Sequence, residues 1–456
     1  MHRKTFPAFV DNRNLRLFLG TLLYLAQGFP QGVVFYAIPN WLAVNEQGAA
    51  IVGMAAAAAT MPWMAKWAVG AFMDRYTYLP MGRRRPWLIG AQLGIALAFL
   101  MFAVIAPAPS ETKLVVGFCF LVSSLTAIQD VALDALVIDL TPDSEKGRLN
   151  GFMFGGKLFG IAAGMAITGY FMQYHGIDSA MLAMLVLFTI PALASVAIRE
   201  RPGEKILPWT NGVVSAEARA IQPEAWLPIV TLALKNLLRR DTILVVLLLM
   251  TYGVHQSLWE QGTSLLAAEQ LGWGEADLGN LGAIGNLLLG AFSLLVGGWL
   301  VDRLGPGRIA LTSGTIVLFA LGLFAWLSST LDSSIVFIFF NFLIGLPTML
   351  FYLSMLVLTM RVSVIEAAAT SFALLVATHA LGSTVGSSIL GMASDLGGFP
   401  LMFGLSAVFI FVSCLMTLGM GNQTAGPADE TPHNEISEQA ISKQEESTNN
   451  TRQANT

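Results

Sequence analysis

This sequence predicts an all-α membrane protein, with twelve transmembrane helices in two pseudo-symmetric six-helix bundles. Three observations predict it. The 456 residues are 55% hydrophobic and only 12% charged, about half the charged share of an average soluble domain, and the mean hydropathy is +0.65. Apolar runs of about twenty residues, the length a helix needs to cross a bilayer, recur along nearly the whole chain. A short word, Gly-x-x-x-Asp-Arg, occurs twice where an apolar run meets basic residues, as Gly70–Arg75 and as Gly298–Arg303.

The first half carries runs at 15–43, 49–73, 87–107, 113–140, 148–174 and 181–199. The second carries runs at 242–270, 276–301, 309–329, 334–360, 366–393 and 399–420. The expected organisation is a cytoplasmic N-terminus (1–14), a bundle (15–199), a cytoplasmic linker (200–241), a second bundle (242–420) and a disordered tail (421–456). The tail is rich in Asn, Gln, Ser, Thr and Glu and has no aromatic residue, a composition that cannot build a core. In the linker, Pro202, Pro208 and Pro223 precede the amphipathic stretch Ala225–Arg240. That stretch either lies on the membrane surface or is an early start to the seventh span.

Basic residues fix the orientation. Of the 25 Lys and Arg, all but Lys66, Lys113 and Lys157 fall on one side of a twelve-span topology. The positive-inside rule therefore places both termini in the cytoplasm. An odd number of spans would scramble this segregation.

The repeated word reads as a latch. Asp74 and Arg75 stand where the second span meets the cytosol, and Gly82, Arg83, Arg84 and Arg85 follow at once. Asp139, at the cytoplasmic end of the fourth span, is the natural partner for a loop arginine. Gly70 and Gly298, and the second copy Asp302–Arg303, complete the set. Arg84 and Arg85 serve equally well as topology anchors against lipid headgroups. An offset of 228 residues, Asp74 to Asp302, also places Tyr24 on Tyr252 and Gln27 on His255.

Charges within a bilayer are costly and face the bundle interior. At about 1.5 Å of rise per residue, Lys66 lies ~12 Å deep, Asp134 ~10 Å, Asp130 ~16 Å and Lys157 ~14 Å. Two lysines and two aspartates from three helices thus meet in one layer, with Asp130 and Asp134 on one helix face. The cluster either neutralises itself and sets helix packing, or exchanges a proton or an anionic solute group. In the second half, His255 with Glu260 forms a candidate relay, because imidazole titrates closest to neutral pH; His379 lies mid-span in the eleventh helix. Gln27 and Gln31 flank Gly28-Phe29-Pro30, where freed carbonyls must line protein or water. Tyr24, Tyr36 and Trp259 are candidates for stacking on a solute, whereas Trp41 reads as an interfacial anchor.

The motifs resemble a known family. Gly-x-x-x-Asp-Arg followed by Gly-Arg-Arg between the second and third spans resembles the signature loop of the major facilitator superfamily. Asp74-Arg75-Tyr76-Thr77 with Gly82-Arg83-Arg84-Arg85-x-Trp87 resembles the AmpG-type permeases, within the peptide–acetyl-coenzyme A–drug transporter branch. Gln129-Asp130-x-Ala-x-Asp134-Ala, Asp139-Leu-x-Pro142, Glu145-Lys-Gly147 and Gly28-Phe-Pro30 extend the likeness. The resemblance implies alternating access by two rocking halves and a latch that stabilises the outward-open state. It also implies a bacterial inner-membrane location and proton-linked import of anhydro-muropeptides.

Nothing here points to an enzyme. No phosphate loop, zinc spacing or nucleophile elbow occurs, and Cys119 and Cys414 both fall inside apolar runs. No cofactor, metal or nucleic-acid partner is expected. The predicted partners are a small-molecule solute, protons and the lipid bilayer, with the chain acting as a monomer. The rival readings are a same-fold transporter of a drug, siderophore or acyl-CoA-like anion, and a non-transporting membrane sensor or assembly factor.

Overall fold

The computed structural model describes residues 7–45, 49–221, 226–273 and 275–420, so the tail 421–456 lies outside the described residues. Among these, eleven helices are long and apolar enough to cross a membrane. The second expected span differs from the reading above. It is two helices, Ala49–Met64 and Lys66–Arg75, and neither alone has that length. Pro62 has no N–H to donate to the preceding turn. Ala65 then closes a tight turn back to the Pro62 carbonyl at 3.2 Å and leaves helical geometry at φ −94°, ψ 6°.

Local chemistry sets the other boundaries. Asn12 caps the first helix, Arg13–Gly32, by accepting from the Leu15 N–H at 2.8 Å. The fourth, Thr112–Leu140, stops where Thr141 takes an extended conformation before Pro142, as residues before proline do. Single left-handed glycines make two turns: Gly176 between Lys146–His175 and Ile177–Ala197, and Gly305 ahead of Pro306–Leu327. At Gly398 (φ 60°, ψ −154°) the run Ala368–Gly419 kinks into the eleventh and twelfth crossings. The stretch near 225–240 forms a separate helix, Trp226–Leu237, ahead of the seventh crossing, Arg240–Gln270.

Each half has its own apolar core, one around Phe99, Phe118 and Phe188 and the other around Tyr252, Phe324, Phe351 and Phe403. A third cluster, including Met73 and Leu136 from one half and Met360, Ala369 and Phe372 from the other, joins the two. This junction sits at the end that carries the basic loops, called here the basic end. Among the described residues two crossings contain a π-helical turn, Val33–Ala37 in the first and Ser293–Gly297 in the eighth. The second of these brings the Ser293 hydroxyl to the Gly151 carbonyl of the other half at 2.9 Å.

Candidate functional site: a basic-end latch and a charged layer within the bundle

The latch residues meet at the basic end. Asp74 is fully buried; its carboxylate accepts from the Ala369 N–H (3.3 Å), the Thr370 N–H (2.8 Å) and the Thr370 hydroxyl (2.5 Å). These belong to the first turn of the eleventh crossing, whose N–H groups have no partner within their own helix. An acid from one half therefore caps a helix of the other, where the helix dipole favours negative charge. The second copy does the reciprocal: Asp302 accepts from the Arg148 N–H at 2.7 Å in the first turn of the fifth crossing. The duplicated motif makes two crossed caps.

Arg83 and Arg84 join Asp74 to Asp139. Arg84 lies 2.8 Å from Asp74 and 2.9 Å from Asp139; Arg83 lies 3.1 Å from Asp139. Arg83 also donates across the interface to the Ile365 and Glu366 carbonyls at 3.3 and 3.1 Å. Arg84 and Arg85 are buried, which corrects their reading as headgroup anchors. Arg85 instead donates to the Ser195, Val196, Lys205 and Ile206 carbonyls at 2.5–2.9 Å, tying the end of the sixth crossing to the linker. The guanidinium groups of Arg75 and Arg303 lie over the rings of Tyr76 and Trp299.

Glycines let the halves approach. A Cβ on Gly298 would sit 2.6 Å from the Gly147 carbonyl oxygen, and one on Gly70 the same distance from that of Ala369. Gly82, at φ +105°, sits against the Glu200 carboxylate. Glu200 accepts from the N–H groups of Arg83, Arg84 and Arg85 at 2.6–2.9 Å and so caps the third crossing, Arg85–Ile105. Nearby, burial and the Glu200 charge push the Glu204 carboxyl up to about 7.

Deeper in the bundle, the four predicted charges converge, though not as two equal pairs. Lys66 and Gln27 both donate to Asp130, and Lys66 forms an ion pair with it. Asp134 takes a hydrogen bond from the Tyr24 hydroxyl. Lys157 has no carboxylate within ion-pair distance among the described residues. Its ammonium lies 5.4 Å from the Trp63 ring centroid, with Lys66 at 5.2 Å from the same ring. Trp63 is anchored through its indole N–H to the Ser123 hydroxyl at 2.8 Å. Gln31 is buried with its amide nitrogen unpartnered.

The second half corrects the relay. His255 and Glu260 are five residues apart, which at about 100° per residue places them ~140° apart around the helix. His255 is buried against Ser406 (2.8 Å), while Glu260 is exposed and accepts from Gln256 at 2.8 Å. His379 completes this second group, 2.9 Å from the Gln256 oxygen. Trp259 packs edge-on against Phe324 and Phe403 in the core, so it faces no solute. Trp63, Glu200 and Thr370 escaped the sequence reading. A tryptophan three residues before Lys66 was an available signal; Glu200 and Thr370 gave none, because their roles depend on chain far away.

The Major Facilitator Superfamily profile matches residues 20–363 and 262–445. The chain belongs to the major facilitator superfamily. It is similar to the anhydromuropeptide permease of Escherichia coli (strain K12), at 24% identity over 414 residues, covering 88% of this chain and 79% of that protein. The fold matches that of the superfamily transporter FucP in the outward conformation, with TM-score 0.65 at 13% identity over 89% of this chain and 99% of that one. It also matches a bacterial homologue of the iron transporter ferroportin in the outward-facing state, with TM-score 0.65 at 16% identity over 89% and 98%. The protein is thus a multi-pass secondary transporter rather than an enzyme.

Proposed function

We propose that this transporter imports a bulky polar or anionic solute, such as an anhydro-muropeptide, together with protons, as its two halves rock about the charged layer. The basic end is then cytoplasmic and shut, and the described state opens outward. The crossed caps at Asp74 and Asp302 support that assignment, as does the likeness to two outward-state folds.

One observation carries the coupling: the two carboxylates of the fourth crossing are held unequally. Asp130 is committed to Lys66 and Gln27. Asp134 has only the neutral Tyr24 hydroxyl as a hydrogen-bond partner among the described residues. It therefore gains or loses a proton without breaking an ion pair. Lys157, free of such a pair and resting on Trp63, offers its charge to a solute anion. A proton entering with the membrane potential contributes about 2.3 kcal/mol per 100 mV, enough for several-tens-fold accumulation.

The test is uptake of labelled GlcNAc–anhydro-MurNAc peptide into proteoliposomes under an imposed proton gradient, wild type beside Asp134→Asn. Accumulation that an uncoupler abolishes and the variant lacks is the expected result. Absence of uptake by folded wild-type protein rejects the muropeptide; uptake indifferent to the uncoupler rejects the coupling.

A further inference from the structure

The two copies of the repeated word are followed by very different chain. After the second copy, Gly305 alone turns Gly298–Leu304 into Pro306–Leu327. After the first copy, nine residues, 76–84, separate Lys66–Arg75 from Arg85–Ile105. A turn does not need that length, and the extra chain brings two exposed tyrosines, Tyr76 and Tyr78. The Trp87 indole N–H braces this loop by donating to the Tyr76 carbonyl at 2.6 Å.

The loop floors a groove of about 390 Å³ on the outside of the first bundle. Trp87 and Gly90 of the third crossing form one wall, and Leu125 and Ile128 of the fourth form the other. Nothing stands within 4 Å of a Cβ placed on Gly90. One turn deeper the groove closes, because a Cβ on Gly94 would sit 2.9 Å from the Leu125 side chain. Gly90 begins a stripe continued by the exposed Leu93, Leu97, Leu100 and Val104. At three- and four-residue spacing these share one helix face, so the groove is continuous with the lipid-facing surface of the bundle. From Arg85 to Gly94 the third crossing rises about 14 Å, close to half of a ~30 Å hydrocarbon core. The groove therefore has the depth of one leaflet.

Its mouth has a charge as well as a shape. The Arg75 guanidinium lies 5.5 Å from the centroid of the Tyr76 ring. No acidic residue occurs between Asp74 and Asp139 within the loop or among the groove's lining residues, and the Asp74 carboxylate is turned into the other half. Tryptophan and tyrosine at a headgroup level, with a cation beside them, match the polar end of a lipid. We propose that this groove is a binding site for one anionic phospholipid of the leaflet at the basic end, an acyl chain lying against Gly90 and the phosphate on Arg75. The site is separate from the charged layer and from the solute path.

The experiment is native mass spectrometry of the purified full-length protein, titrated with phosphatidylglycerol and phosphatidylcholine of identical acyl chains. Wild type is expected to retain one phosphatidylglycerol at least fivefold more than phosphatidylcholine. Gly90→Phe fills the groove from the third crossing and Ile128→Trp from the fourth, and each is expected to lose that adduct. Arg75→Gln is expected to bring the two lipids to equal retention. Gly322→Phe, at an exposed glycine of Pro306–Leu327 that also has open space around it, is expected to behave as wild type. Equal retention of both lipids by wild type overturns the proposal, as does an undiminished adduct in both groove-filling variants. An equal loss in Gly322→Phe reduces the adduct to unspecific lipid and overturns it too. A dimer that Gly90→Phe abolishes gives the groove to a second copy of the chain instead.

Discussion

Asp74 concentrates several roles in one side chain. Its carboxylate closes the first turn of a helix in the other half and also neutralises Arg84. Asparagine keeps the size but turns a donor toward Arg84 and removes the charge. A hydrogen bond to a charged group contributes about 1.5–3 kcal/mol, and every ~1.4 kcal/mol is tenfold in an equilibrium. Asp74→Asn is therefore expected to cut uptake about tenfold or more while membrane content stays constant. Asp302 caps Arg148 but has no guanidinium within ion-pair distance among the described residues, so Asp302→Asn is expected to stay within about threefold. Parallel uptake assays normalised to protein check both, and equal losses would contradict the asymmetry. At this scale the sequence was legible where spacing decides geometry. Asp130 and Asp134 share a face because they are four apart, whereas the His255–Glu260 pairing failed on its five-residue spacing. Trp63 and Glu200 acquire their roles from long-range packing, which spacing does not encode.

Whole elements meet across the basic end through glycine, and this makes the interface testable without touching a charge. Gly298→Val places a branched side chain against the Gly147 carbonyl and the Arg148 backbone, both under 3 Å from the new Cβ. The halves are then propped apart. Met360, buried against Asn150 (3.2 Å), serves as reporter when changed to cysteine, since Cys119 and Cys414 are both buried. Gly298→Val is expected to raise maleimide labelling of Met360→Cys several-fold. Gly90→Val, where nothing stands within 4 Å of the new Cβ, should leave labelling unchanged.

The linker yields a pH prediction. Glu204 is pushed up to about 7 by burial and by Glu200, above the ordinary glutamate value of 4.5. Between those two pH values the folded protein holds a proton that the unfolded chain does not, so stability falls as pH rises from 4.5 through about 7. Glu204→Gln is expected to flatten that slope and to stabilise the protein above pH 7. Thermal unfolding in detergent at pH 5, 6, 7 and 8 measures it; an unchanged slope would contradict the assignment. The broken second span belongs at this scale too. Hydropathy recorded one continuous run, and the turn after Pro62 made it two helices, with Lys66 starting the second beside Asp130.

For the whole molecule, the duplicated word was the most informative feature of the sequence, because it encodes a reciprocal contact. Each copy ends one helix and caps a helix of the other half. The architecture was legible because hydrophobic length and basic-residue segregation follow directly from the bilayer as solvent. The inner layer was legible as a set of charges but not as a network. Which lysine is paired depends on how three helices tilt together. In the transport cycle proposed above, breaking the crossed caps would free the basic end, while Asp134 would change protonation without disturbing the Lys66–Asp130 pair. The measurement that tests this most directly compares two assays of Asp134→Asn in proteoliposomes. One is uphill uptake of the muropeptide driven by a pH gradient, and the other is solute counterflow without a gradient. The account predicts that uphill uptake is lost while counterflow persists. Uphill accumulation by Asp134→Asn at the wild-type level would contradict it.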